Sequence, residues 1–169
     1  MTFLQAAEAL IDTNWEETIS GRSTDVPKPK IVLEESVSQS DLKTRDYARI
    51  VDGGDTVFTP RGFGWTHEKV EADVTVELRS AERRINGTLV DGRERMFGPR
   101  SGMSAPDRYV GLSGETKRIL DAHRKGFAEF DQVVASTIRD ESSAEGQKIY
   151  RADVDIAFVQ HASQIDPSV

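Results

Sequence analysis

The chain reads as an α+β domain, with an N-terminal helix, a largely antiparallel sheet with a long C-terminal hairpin, and a second helix packed on the sheet. Three stretches predict this. Across 149–161, Tyr150, Ala152, Val154, Ile156 and Phe158 alternate with Arg151, Asp153 and Asp155, the period-two pattern of a strand with one buried face. The same alternation runs from Val70 to Arg79, where Val70, Ala72, Val74, Val76 and Leu78 oppose Glu71, Asp73, Thr75, Glu77 and Arg79. Between them an amphipathic helix is predicted over 113–125, followed by a strand-like stretch, 130–139, and a short polar turn, 140–147.

Taken in order, the first helix begins with Thr2 as N-cap and Gln5 three residues on, a capping box. Leu4, Ala7, Leu10, Ile11 and Trp15 follow at helical spacing, and the helix is expected to stop near Gly21. Pro27 and Pro29 mark a linker, and Ile31, Val32 and Leu33 start a short strand. Asp52-Gly53-Gly54-Asp55 has turn composition, which predicts a hairpin of 47–51 with 56–59. A loop at 60–64 precedes the long strand, placed at 69–79. From Ser80 to Val110 neither period is sustained, so 80–110 reads as a long Arg- and Gly-rich loop within one domain, 1–169. Ile85 to Val90 carries at most a weak sign of a turn or strand.

A chain of 169 residues is long enough to bury roughly 70% of its unfolded surface and needs no staples. Cysteine is absent, which excludes disulfides, thiolate metal sites and a cysteine nucleophile. No stretch approaches the ~20 apolar residues of a membrane span, and the start shows no export signal, so a membrane partner is not expected. The net charge of -7 disfavours general affinity for nucleic acid. Arg outnumbers Lys about two to one, and the acidic surface is of a kind that halophiles exploit. The balance reverses between Arg79 and Arg108, where arginines outnumber acids. Arg93, Arg95 and Arg100 are therefore candidate contacts to a neighbouring subunit or partner, because guanidinium in an irregular segment suits interfaces.

Candidate chemistry is sparse. Asp153, Asp155 and His161 share a strand face and are the one metal-site candidate, for a metal-dependent hydrolase; a solvated strand face is the simpler reading. His123 lies on the apolar side of its helix without an evident nucleophile or orienting acid, which favours a half-buried histidine bonded to backbone. His67 next to Glu68 says less still. Gly111-Leu112-Ser113-Gly114-Glu115-Thr116-Lys117 superficially matches a phosphate loop, but Gly does not precede Lys and Arg118 follows it; a helix cap at Ser113 or a neighbour suffices. Asn86-Gly87-Thr88 fits a turn. Arg61-Gly62-Phe63-Gly64-Trp65, like Arg93, Arg95 and Arg100, suits a nucleic-acid-binding module only if the acidic body is ignored. No catalytic set, cofactor site or metal site is therefore assigned.

A resemblance goes further than these residues. Val74-Thr75-Val76-Glu77-Leu78-Arg79 with Ser80 and Arg83, Gly111-Leu112-Ser113-Gly114-Glu115 running into Lys117-Arg118-Ile119-Leu120-Asp121, and Tyr150-Arg151-Ala152-Asp153-Val154-Asp155-Ile156, in this layout, resemble the tail terminator proteins of long-tailed viruses with non-contractile tails. They look like versions from viruses of halophilic archaea. The resemblance implies a structural virion protein, not an enzyme, forming a homohexameric ring. Such a ring caps the tail tube protein, joins the tail to a neck or head-completion protein, and lets genome DNA pass without specific binding. Assembly in the host cytoplasm and residence in the virion tail or neck are then expected. Another neck or connector subunit is the nearest alternative. The Arg-rich stretch is longer than the family pattern, so its contacts do not carry over.

Overall fold

The computed structural model describes residues 2–61, 67–98, 109–135, 138–142 and 149–163. Helix α1, Phe3–Asn14, starts on the expected capping box, in which the Gln5 backbone N–H donates to Thr2 Oγ1 and Thr2 N–H to Gln5 Oε1. It ends earlier than the spacing predicts. Trp15 is extended, and its indole N–H donates to the Val26 carbonyl at 2.9 Å, which folds the following segment back on itself. A turn of helix beyond Asn14 would break that contact.

Strand β1, Lys30–Leu33, runs parallel to the start of β2, Tyr47–Arg61. A 3-10 turn at Asp41–Lys43 lies between them. The hairpin predicted around Asp52–Asp55 does not form. β2 continues through that segment as one strand paired antiparallel with β3, His67–Ala81, and the glycines are absorbed in a bulge between Asp52 and Thr56. Turn-forming residues in a strand are the usual material of a bulge.

The stretch expected as a long irregular loop is largely ordered as far as Gly98. Strands β4, Arg83–Ile85, and β5, Thr88–Val90, form a separate hairpin, and α2 spans Gly92–Phe97. Asn86 and Gly87 both take positive φ, 50° and 80°, as a tight hairpin turn of this kind requires. Three-residue strands are too short to show a period, which is why the pattern looked featureless.

Helix α3, Gly111–His123, begins two residues before the expected start, with Val110 in the N-cap position. Ser113 does not cap it; its hydroxyl donates to the Met96 carbonyl and so ties α3 to α2. Gly114 lies against the Tyr109 backbone, where a Cβ would collide. The strand expected at 130–139 is reduced to β6, Gln132–Ala135, and β7, Arg139–Asp140. Both pair antiparallel with β8, Ile149–Ser163. The turn expected at 140–147 lies mostly outside the described residues.

The main sheet has the order β1-β2-β3-β8-β6, with β7 beside β6 on the same edge of β8. The alternation read from the sequence sorts its two faces. Val74, Val76, Leu78, Ala152, Val154, Ile156 and Phe158 are buried in one core with Leu10 and Ile11 of α1, Met96 of α2 and Leu112, Ile119 and Leu120 of α3. On the opposite face a smaller cluster of Val32, Leu42, Tyr47 and Ile149 seats the 3-10 turn at one end of the sheet. Much of the rest of that face is charged, with Val57, Val134 and Val159 towards its other end. Among the described residues, no helix is long and apolar enough to cross a membrane.

Candidate functional site

Three arginine–carboxylate networks hold most of the charged chemistry in the described residues. The first crosses the open sheet face. Glu77 on β3 accepts from Arg49 on β2 at 3.0 Å, from Arg79 at 3.1 Å and from Arg151 on β8 at 3.1 Å. Arg151 also grips Asp153 through Nε at 2.7 Å and Nη2 at 2.9 Å. Arg139 on β7 reaches Asp155 at 2.7 Å, and Thr75 Oγ1 donates to the same carboxylate at 2.8 Å. Period-two alternation puts these residues on one face. Arg49 is the direct cross-strand partner of Glu77, but between β3 and β8 the direct partners are like-charged, Glu77 with Asp153 and Arg79 with Arg151, so there the opposite charges meet on the diagonal and along each strand.

This arrangement bears on the metal candidate. Asp153 is buried and held bidentately by Arg151, while Asp155 is shared by Arg139 and Thr75. His161 lies six residues further along β8, roughly 20 Å at strand rise, and is exposed. The three therefore do not converge, and no group of three metal-ligating side chains occurs among the described residues. His123 is half-buried; its Nδ1 lies 2.9 Å from the Ile119 carbonyl, with its ring edge-on to Phe127. The His67 side chain, and Gly62 to Trp65 with the Arg61 side chain, lie outside what is described.

The second network is centred on Asp46, just before β2. Its carboxylate accepts from Ser80 at 2.7 Å, from Arg83 at 2.6 Å and from Arg95 at 3.3 Å. Arg95 donates further to the Val90 and Ala81 carbonyls and to Ser80 Oγ. Of the three candidate contact residues, Arg95 is thus engaged inside its own subunit, where it fastens α2 and the β4–β5 hairpin to the sheet. Arg93, on the same helix, is half-buried with its guanidinium 5.6 Å from the Phe97 ring. Arg100 lies outside the described residues. A pocket of about 220 Å³ opens beside Asp46 and Arg95, walled by Val26, Ile85, Val90 and Leu112.

The third network escaped sequence reading. Glu115 on α3, wholly buried, accepts from Arg22 at 2.7 Å, from Arg118 at 2.9 and 2.7 Å, and from the Glu16 backbone N–H at 2.8 Å. Arg22 also donates to the Glu16 and Glu17 carbonyls, and Arg118 to that of Asn14. The hydrogen bond that it donates to Glu115 holds the Arg118 guanidinium above its ordinary pKa. Glu115 and Arg118 are visible in sequence as an i, i+3 pair, but Arg22 is remote along the chain, so burial of the group had no local signal.

What remains exposed is apolar and sits at particular places. Phe58 and Val57 on β2, Val134 on β6 and Leu89 on β5 are the large hydrophobic side chains left at least half open to solvent among the described residues. No protein-family model matches the chain, and no curated protein is significantly similar to it.

Proposed function

We propose that this chain is a structural virion subunit that works by assembly: a hexameric ring that caps the tail tube of a long-tailed virus and joins it to the neck or head. One observation carries the reading beyond the sequence resemblance. The buried carboxylates Asp46, Glu77, Glu115 and Asp153 are each held by arginines of the same subunit, whereas large apolar side chains stand exposed on sheet strands. Exposed apolar side chains on the outer strands of a sheet are the material of strand-to-strand contact between subunits.

A ring follows from the physics of closed assemblies. One surface that meets a different surface on the next copy closes into a ring if the rotation per step allows it. The acidic body suits a channel through which DNA passes without being gripped, because like charge weakens phosphate binding. Arg93 and the β4–β5 hairpin bearing Leu89 supply contacts towards a neighbouring ring. Arg95 supports them from within.

The test is direct imaging. Negative-stain class averages and native mass measurement of the purified protein in molar salt should give a ring of six with a central channel, and tailed particles should contain the protein at the joint. A monomer at every concentration, absent from tailed particles, would overturn the reading.

A further inference from the structure

We propose that copies of this chain join edge to edge, with Thr56–Thr59 of β2 on one copy adding as a strand to β6, Gln132–Ala135, of the next. The sheet order leaves two edges. β1 covers β2 only from Tyr47 to Ile50, so beyond Ile50 the outer side of β2 has no strand partner among the described residues. β6 ends the sheet on the other side among the described residues; its Val133 N–H donates to the Arg124 carbonyl at 3.4 Å, a long bond that an incoming strand has to displace. Exposed backbone edges of this kind are templates for strand addition.

Polarity fits. β2 is antiparallel to β3, β3 to β8 and β8 to β6, so β6 and β2 run in opposite directions. Continuing the sheet from one copy into the next in the same sense gives an antiparallel pair, the more stable kind. Length fits as well. The bulge between Asp52 and Thr56 bends the strand on one side, and Pro60 ends the run of N–H donors on the other. Four residues remain between them, matching the four of β6.

Register and side chains agree with each other. Across the sheet Thr56 is level with Ala72, Phe158 and Val133. Sliding the incoming strand by two residues sets Val57 opposite Val134 and Phe58 opposite Val133, and an even slip keeps each side chain on its own face. Closure of a tilted sheet requires a stagger of this sort. Val57 and Val134 then cover one another on the charged face. Phe58, 60% exposed in the single subunit, enters the groove between β6 and α3 lined by Leu120, Val133, Arg124 and Lys125. Three of the four large exposed hydrophobics are therefore accounted for by one contact, and both halves of it are on this chain.

Each copy contributes one edge of each kind, so the contact is head-to-tail. Its closure into a ring rests on the function proposed above; the pairing itself does not. The chain has no cysteine, which permits a clean cross-linking test. Val57→Cys with Val134→Cys in one chain should, on oxidation, give a ladder of covalent multiples. Mixing the two single variants should give dimers and nothing larger, and neither alone should cross-link.

Phe58→Glu should weaken self-association at least about tenfold while leaving the melting temperature of the subunit unchanged. Absence of the ladder, cross-linking of a single variant with itself, or unaltered association of Phe58→Glu would overturn the proposal. A ladder without upper limit would support the edge contact and overturn the closed ring. A discrete ring that the cysteines fail to link would do the reverse.

Discussion

At the junction of α1 and α3, Glu115 is sealed from solvent with the Arg22 side chain 1% exposed beside it. On the open face of the sheet the same chemistry is half wet, with Arg139 49% and Asp155 33% exposed. Both use arginine forks on carboxylates, so geometry does not distinguish them; dielectric does. A pair in water gains little, is screened by salt and is often worth less than 1 kcal/mol. A buried pair has already lost its hydration, and each partner depends on the other to remain folded. The sheet ladder therefore sets strand register and solubility, while the Glu115 centre fixes where α3 sits against the segment after α1.

The comparison breaks most visibly at Glu115. Glu115→Gln leaves Arg22 buried without its countercharge and should cost about 3–5 kcal/mol in denaturant unfolding. Replacing Arg22→Met together with Glu115→Leu should recover part of that loss, since matched apolar residues carry no desolvation cost, while Arg118 still loses the carboxylate it shares. An equally severe loss in the double variant would show that hydrogen bonds to the backbone of 14–17, and not the charge pair, hold the junction. Ile156→Ala serves as the apolar yardstick, because Ile156 is fully buried under the helices and its truncation should cost about 2–4 kcal/mol.

On the sheet face the expected effects shrink. Asp155→Asn keeps the shape of a half-wet pair and removes only its charge, so about 1 kcal/mol is expected from thermal melts at low salt. The difference should narrow in molar salt. No such salt dependence is expected at Glu115, where ions cannot enter.

The contrast also explains which parts were legible in sequence. Long strands with one buried face announce themselves, and Val70–Arg79 and Tyr150–His161 supplied both the sheet and the sorting of its faces. The start of α1 was legible because a capping box is local. Its end was not, because the bond from Trp15 to Val26 is tertiary. Asp52–Asp55 misled for a similar reason: turn composition does not distinguish a hairpin turn from a bulge, and pairing with β3 decides it. Between Ser80 and Gly98, elements of three to six residues are shorter than any window in which a period can be recognised. The candidate contacts were legible as chemistry and not as place. Arg93 and Arg95 stand two apart on α2, yet one packs over Phe97 and the other bonds Asp46 inside the subunit.

The smallest expected effect lies beside the ladder, at Asp73, and it tests the electrostatic half of the comparison by sign. Burial, and then the neighbouring charges of Glu71 and Asp155, hold the Asp73 carboxyl above its ordinary value of 3.8. The folded state thus binds this proton more tightly than the unfolded state does. Ionised Asp73 costs stability above its folded pKa, the cost diminishes as pH falls through that value, and it is gone below the unfolded one. Asp73→Asn should therefore melt slightly higher than the parent at neutral pH, with the gap closing near pH 4 and below. Asp41 is the opposite case. Its hydrogen bonds from the Ser38 backbone N–H and hydroxyl hold it below the ordinary value, so Asp41→Asn should melt lower at neutral pH and converge with the parent as pH falls through the lowered value. Melting curves of both variants from neutral to acid pH check the pair together. Shifts of the same sign at neutral pH would show that burial and the charges of Glu71 and Asp155 do not hold the Asp73 carboxyl above its ordinary value.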